Sequence, residues 1–181
     1  MAPPSLVVRP LALSDLADLL AVQLACYGEG FVESGEVFAR RLASPVNCSL
    51  VLERDGRVCA YLAAYRSRLH KVTPLHGDFG APHAPSGALP GDLDTLYLHD
   101  MAVLPALARQ GLAPALLAPL WERARQEGLR HTALVSVQGS QGYWARHGYA
   151  EQALADGVQR QHLASYGDGA TYMVRSLGPG G

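Results

Sequence analysis

The sequence has almost no excess of either charge. Its 15 Lys and Arg stand against 16 Asp and Glu in 181 residues, a formal net charge of −1. With no basic surface to answer a phosphate backbone or an anionic lipid, nucleic acid and charged membrane are not expected partners. Cysteine is scarce: Cys26, Cys48 and Cys59 are odd in number and scattered. They fit neither a disulfide framework nor the paired spacing of a zinc site, which points to a reducing compartment and to no metal. No apolar run approaches the roughly 20 residues that span a bilayer. The opening MAPPSLVVRP lacks the basic segment and apolar core of a secretory leader, so the expectation is a cytoplasmic protein. A Gly-x-Gly-x-x-Gly after the first strand and a Gly-Lys-Ser/Thr are both missing, which disfavours dinucleotide and P-loop folds.

What is there is apolar: 49% hydrophobic against 17% charged residues, enough to bury a core within one domain spanning 1–181. Leu6 to Leu11 predicts a strand. Ser14-Asp15 caps a helix carrying Leu16, Leu19, Leu20 and Leu24 on one face. After an acidic, glycine-containing loop, Ser34 opens a second helix with Val37, Phe38, Arg41 and Leu42, stopped by Pro45. Cys48 to Glu53 and Arg57 to Tyr65 are strands joined by Asp55-Gly56, a hairpin signal. Residues 67 to 95 hold prolines, glycines and histidines without periodicity, a long loop of the functional or mobile kind. Thr95 to Val103 is a strand and Pro105 to Gln110 a turn. Gly111 to Glu127 is a helix with Leu112, Leu116, Leu120 and Ala124 on one stripe, where Pro119 predicts a kink or split. His131 to Val137 is a strand, Gln141 to His147 a short helix ended by Gly148, and Ala170 to Leu177 a last strand. Gly178 to Gly181 is expected to be a disordered tail. The order predicts a mixed α/β fold: a mostly antiparallel twisted sheet with one parallel β-α-β crossover and flanking helices.

Chemistry concentrates in Leu98 to Leu117, where a strand turns tightly into a helix that starts at Gly111-Leu112-Ala113. A helix start presents free N–H groups and a positive dipole end, and small residues let phosphates approach the backbone. Here Val103-x-Pro105-x-x-Ala108-Arg109-Gln110-Gly111-Leu112-Ala113 resembles the signature of the GNAT family of N-acetyltransferases, V-x-P-x-x-[R/Q]-x-x-G-x-[G/A]. Tyr143 to Tyr149 resembles that family's second landmark, x-[F/L]-Y-x-x-x-G-[F/Y]. The resemblance spans Leu6 to Leu177 and implies the acyl-CoA N-acyltransferase fold, with acetyl-CoA between the strand ending at Val103 and the strand ending at Val137. It implies direct transfer of the acetyl group to an amine. Met101, Ala102, Val103, Ala108, Arg109, Gln110, Gly111, Leu112, Ala113 and Ser140 would hold the cofactor. Ala108 stands where the family has Arg or Gln, which leaves backbone N–H groups and Arg109 for the pyrophosphate. Trp144 stands where the family has the Tyr that protonates the thiolate, and an indole N–H has no proton to give.

An aliphatic ammonium has a pKa near 10.4, so about one acceptor in two thousand is the free nucleophile at pH 7, a term of roughly 4 to 5 kcal/mol. A thiol near 8.5 leaves well by comparison, so a base matters more than an acid. His99 and Asp100, on the strand before the turn, are the candidate bases. Alternation places His99 with Tyr97, Met101 and Val103, and Asp100 on the opposite face. An imidazole's ordinary pKa of about 6.5 favours His99; a core histidine satisfied by a backbone carbonyl is the competing reading. Tyr143, beside the vacated tyrosine position, is the candidate acid. At least two of Tyr143, Trp144 and Tyr149 are expected in the core. Glu29, Glu33 and Glu36 border the acceptor cleft, either drawing in a cation or forming a solvated loop. Histidines 70, 76 and 83 are spaced too irregularly for a metal pair. The three cysteines lie outside the motif region, against a thiol-bound intermediate. The acceptor is expected to be a small-molecule amine. A peptide or protein amine and a non-catalytic acyl-CoA-binding module are the alternatives, and family resemblance makes a homodimer possible.

Overall fold

The computed structural model describes residues 5–79 and 92–178. Residues 80–91 of the predicted long loop, His83 included, and residues 179–181 of the predicted tail lie outside them. Gly178 is described, and its N–H bonds Ser176 Oγ.

Seven strands form one sheet: β1 (Leu6–Pro10), β2 (Leu50–Arg54), β3 (Arg57–Ser67), β4 (Thr95–Val103), β5 (His131–Ser136), β6 (Ala150–Glu151) and β7 (Thr171–Ser176). Their order is β1-β2-β3-β4-β5-β7-β6. Every neighbouring pair is antiparallel except β4 with β5, which the crossover helix α3 (Ala113–Gln126) makes parallel. The Asp55-Gly56 turn closes the β2–β3 hairpin with both residues in the left-handed region, at φ 53° and 80°, the geometry that matches strand twist. β3 reads as an almost unbroken apolar run because helices cover both faces of the sheet centre. One face packs on α3 and α4 (Gln141–Arg146), the other on α1 (Leu16–Tyr27) and α2 (Gly35–Leu42).

The α3 stripe is as expected: Leu112, Leu116, Leu120 and Ala124 are all buried. Pro119 does not split the helix. Pro119 and Ala115 are both exposed, so water can take the carbonyl bond that the missing N–H forfeits. Ser34 caps α2, accepting the Val37 N–H. Asp15 instead caps a short 3-10 turn at Leu13–Asp15, accepting the Ala12 N–H while Arg9 pairs with it.

Three further expectations are corrected. α1 buries Leu19, Val22 and Gln23, and leaves Leu24 54% exposed, because Gln23 finds both polar groups of the Glu33 backbone inside. Cys48 precedes β2, which begins at Leu50. The first described stretch of the long loop, residues 68–79, is pinned, with Val72 and Phe79 in the core. Two elements carried no signal in the sequence reading: β6 and α5 (Gly157–Ala164), capped by Asp156.

Candidate active site

β4 and β5 pair only from Thr95/His131 to Leu98/Leu134 and then part. The gap opens as a cleft of about 240 Å³ walled by His99, Asp100 and Met101 from β4, Leu134 and Val135 from β5, and Ser140, Tyr143 and Trp144 around α4. A smaller cavity of about 40 Å³ adjoins it, bounded by Phe31, Glu33, Leu75 and Tyr166. Tyr27, His99 and Asp100 line both.

The register of β4 corrects the predicted facing of its side chains. Ala63 pairs with Asp100 but Ala64 pairs with Leu98, so His99 is an extra residue in a β-bulge. The bulge turns His99 and Asp100 to the same side, that of α1 and α2, while Leu98, Met101 and Val103 face α3. Leu104 N–H bonds Cys59 C=O, which makes Leu104, Ala102 and Asp100 the residues bonded to β3. The backbone groups of Met101 and Val103 therefore point away from β3, to the side where β5 has parted. Their carbonyls accept from α1: Tyr27 hydroxyl to Met101 at 2.6 Å, Cys26 Sγ–H to Val103 at 3.1 Å.

His99 is fixed by a carboxylate and not by a backbone carbonyl. Its Nε2 lies 2.9 Å from Glu33 Oε1, with both side chains 1% exposed. Glu33 also takes the Arg41 fork, the Arg41 Nη1 bond being 2.8 Å, and the His76 N–H at 2.8 Å. Burial alone would raise the Glu33 carboxyl, but Arg41 and His99 hold it well below the usual carboxylate range. Glu33 thus orients the ring with Nε2 toward itself, so that in a neutral imidazole Nε2 is the donor and Nδ1 the lone-pair nitrogen. Nδ1 stands 3.4 Å from the Tyr166 hydroxyl, which donates to Thr73 C=O at 2.7 Å.

Asp100 lies among phenols. Tyr27 Oη is 2.8 Å from its Oδ1, and Tyr61 donates to its Oδ2. Desolvation pushes the Asp100 carboxyl up, and it pushes Tyr27 and Tyr61 far above the ordinary phenol range. The Cys26 thiol is likewise raised, by burial first, so it stays protonated.

Beyond β4, Pro105–Leu107 form a 3-10 turn, Gly111 takes φ 70°, and α3 starts at Ala113. Among the described residues, no acceptor takes the N–H of Arg109, Gly111, Leu112 or Ala113. Gln110 accepts from Arg54, and Arg109 is exposed without an ion pair to the described residues.

The structure thus gathers His99, Asp100, Met101, Ser140 and Tyr143 around one cleft. It places the Ala102 side chain in the core on the α1 side. Residues 108–113 and Val103 are not in the cleft wall. Trp144 and Tyr149 are core residues, whereas Tyr143 is half-buried, and its hydroxyl has no partner among the described residues. Cys26, expected away from the motifs, touches Val103. Glu29 and Glu36 are solvated; only Glu33 reaches the site. The sequence reading missed Arg41, Tyr27, Tyr61 and Tyr166. A cation on the Val37-Phe38-Arg41 stripe was the available sign that a buried carboxylate awaited it. Among the described residues no group of three His, Cys, Asp or Glu could hold a metal, and no helix is long and apolar enough to cross a membrane.

Residues 16–149 match the family described as Acetyltransferase (GNAT) family. The ribosomal-protein-S18-alanine N-acetyltransferase of Escherichia coli superposes with a TM-score of 0.67 at 18% identity, covering 98% of this chain and 97% of its own. A GNAT family acetyltransferase of Brucella melitensis, solved with acetyl-CoA, gives 0.60 at 22% identity over 97% and 90%. GphF, a GNAT-like decarboxylase in complex with isobutyryl-CoA, gives 0.73 at 20% identity over 95% and 100%. No curated protein matches the sequence.

Proposed function

The chain belongs to the GNAT family of acetyltransferases and is an acyltransferase, and from that premise we propose that it transfers acetyl from acetyl-CoA directly to the amine of a small molecule. The observation that carries this reading is the convergence on one gap of an imidazole oriented by a buried carboxylate and strand N–H groups that point away from β3. Acetyl-CoA, which the Brucella relative binds, is the cosubstrate this site fits. The N–H groups of Arg109, Gly111, Leu112 and Ala113 suit its pyrophosphate, with Arg109 as a nearby cation. Ala108 and Gln110 complete the turn, and Ser140 and the partnerless Tyr143 hydroxyl line the pantetheine path.

His99 is the base. Its Nδ1 takes a proton from the ammonium, a step otherwise costing roughly 4 to 5 kcal/mol at pH 7. The freed amine attacks the thioester carbon, and the N–H of Met101, on the cleft wall, stabilises the oxyanion. A thiol-bound intermediate is disfavoured because Cys26 is kept protonated and donates to Val103. A small acceptor is favoured over a peptide by the size of the second cavity, about 40 Å³ under Leu75 and Tyr166. The three free thiols suit work in the cytoplasm.

The test is coenzyme A release, read with a thiol reagent, across arylalkylamines, polyamines, amino acids, aminoglycosides and peptides, beside a thermal-shift titration of acetyl-CoA. Amine-dependent release that His99→Gln abolishes, with the thermal shift retained, is the expected result. A shift without release from any amine would establish a binding module instead, and no shift would overturn the cosubstrate.

A further inference from the structure

We propose that Tyr27 is the proton donor to the departing thiolate and that Asp100 carries a proton in the resting protein and resupplies it. This rests on the acetyl-transfer reading above and names the acid that Trp144 cannot be.

Around Tyr27 and Asp100 there are more close oxygen contacts than an ionised carboxylate leaves hydrogens for. The Tyr27 hydroxyl has one, yet two oxygens lie within bonding distance: Met101 C=O at 2.6 Å and Asp100 Oδ1 at 2.8 Å. A backbone carbonyl only accepts. An ionised Asp100 would also only accept, leaving one contact with no hydrogen between its oxygens. Tyr61 cannot supply the missing one, since its hydrogen is spent on Asp100 Oδ2. A proton on Asp100 Oδ1 resolves every contact: Asp100 donates to Tyr27, Tyr27 to Met101, and Tyr61 to Asp100.

The neighbours agree. Asp100 faces Tyr27 and Cys26 from α1, Tyr61 from β3, Glu33 from the loop before α2, and His99 beside it on β4. No Arg or Lys pairs with it among the described residues, and the Nε2 of His99 is turned to Glu33. Tyr27 lines both cavities, and its hydroxyl sits on Met101 C=O and Asp100, residues of the cleft wall. Tyr143 shares the cleft but has no partner among the described residues from which to regain a proton.

The step balances. The C–N bond forms and the C–S bond breaks, with the electron pair going to sulfur. Sulfur takes the Tyr27 proton, and the Tyr27 oxygen takes that of Asp100. The proton that His99 took from the ammonium passes to solvent, and the second, which the nitrogen sheds as the amide forms, returns through His99 and solvent to Asp100 on the same face, so each turnover releases one proton overall. The same count separates the two base candidates: a carboxyl already holding a proton cannot take one.

Two measurements test this. Infrared spectra of protein carrying ¹³C-labelled aspartate should show a protonated-carboxyl C=O band at pH 7 that Asp100→Asn removes. In kinetics, Tyr27→Phe should lower kcat about ten- to a hundredfold, the low end for acid catalysis because a thiol leaves well, with KM for acetyl-CoA within a few fold. Asp100→Asn should lose the falling alkaline limb of the kcat profile. An absent band, wild-type kcat in Tyr27→Phe, or a larger loss in Tyr143→Phe would overturn the assignment. If no amine elicits release, the functional reading fails and the donor role with it, while the infrared band still decides the state of Asp100.

Discussion

Replacing Arg41 by Met strands the Glu33 carboxylate in the interior. Arg41 is 2% and Glu33 1% exposed, and the guanidinium also holds Gly77 C=O through Nε at 3.0 Å while lying over the rings of Phe38 and Phe79. Removing one partner of a buried pair costs about 3 to 5 kcal/mol, because the remaining charge is uncompensated. At about 2 to 4 °C per kcal/mol for a chain of this size, Tm at pH 7 should fall by roughly 6 to 20 °C. In the wild type the depressed Glu33 carboxyl contributes stability above the unfolded glutamate pKa near 4.3, and that contribution is lost as pH falls through the folded value. In the variant the stranded carboxyl is raised, so acid relieves it, and the two melting curves should converge at low pH. Glu33→Gln combined with Arg41→Met should be less damaging than Arg41→Met alone, because no charge is left unpaired. Calorimetry across pH measures all of this. A loss under about 1 kcal/mol for Arg41→Met, or single losses that simply add in the double variant, would refute a buried, mutually dependent pair.

Leu116→Ala should cost about 2 to 5 kcal/mol in a denaturant titration, since the side chain is fully buried between α3 and the sheet. Gly111→Ala should lower stability by about 1 kcal/mol and weaken acetyl-CoA binding in a thermal-shift titration, because φ 70° suits glycine and the turn sets the α3 N-terminus. Glu127 is pulled down to about 2, the Arg66 bond first and then Arg123 outweighing desolvation. Its stabilisation is present above pH about 4.3 and drains toward pH 2, so Glu127→Gln should flatten the pH dependence of Tm in that window.

Much of the architecture was legible where sequence and backbone share a period. Asp55-Gly56 could only be a tight left-handed turn, the α3 stripe repeats every three to four residues, and the turn into Gly111 needs glycine. The facing of His99 and Asp100 was not legible, because alternation fails at a bulge and a bulge is set by pairing with Ala63 and Ala64. α5 escaped because it buries no residue fully and so shows no apolar stripe; it is held by polar contacts instead. Glu33 was visible as an acid but not as a buried one, since burial depended on Arg41 and His99 arriving from other elements.

Those polar contacts of α5 set a limit on modular redesign. Gln159 accepts the Val72 N–H and His162 Nδ1 bonds Val72 C=O, while just beyond the helix Ser165 accepts the Leu75 N–H. The roof of the small cavity is thus co-authored by two stretches some ninety residues apart. A graft that exchanges 68–79 for another protein's segment would arrive without its latch, leaving backbone groups of the new roof unmet. Whoever would reshape that cavity by swapping the segment must transplant 156–166 with it, and lineages that changed one should carry compensating changes in the other.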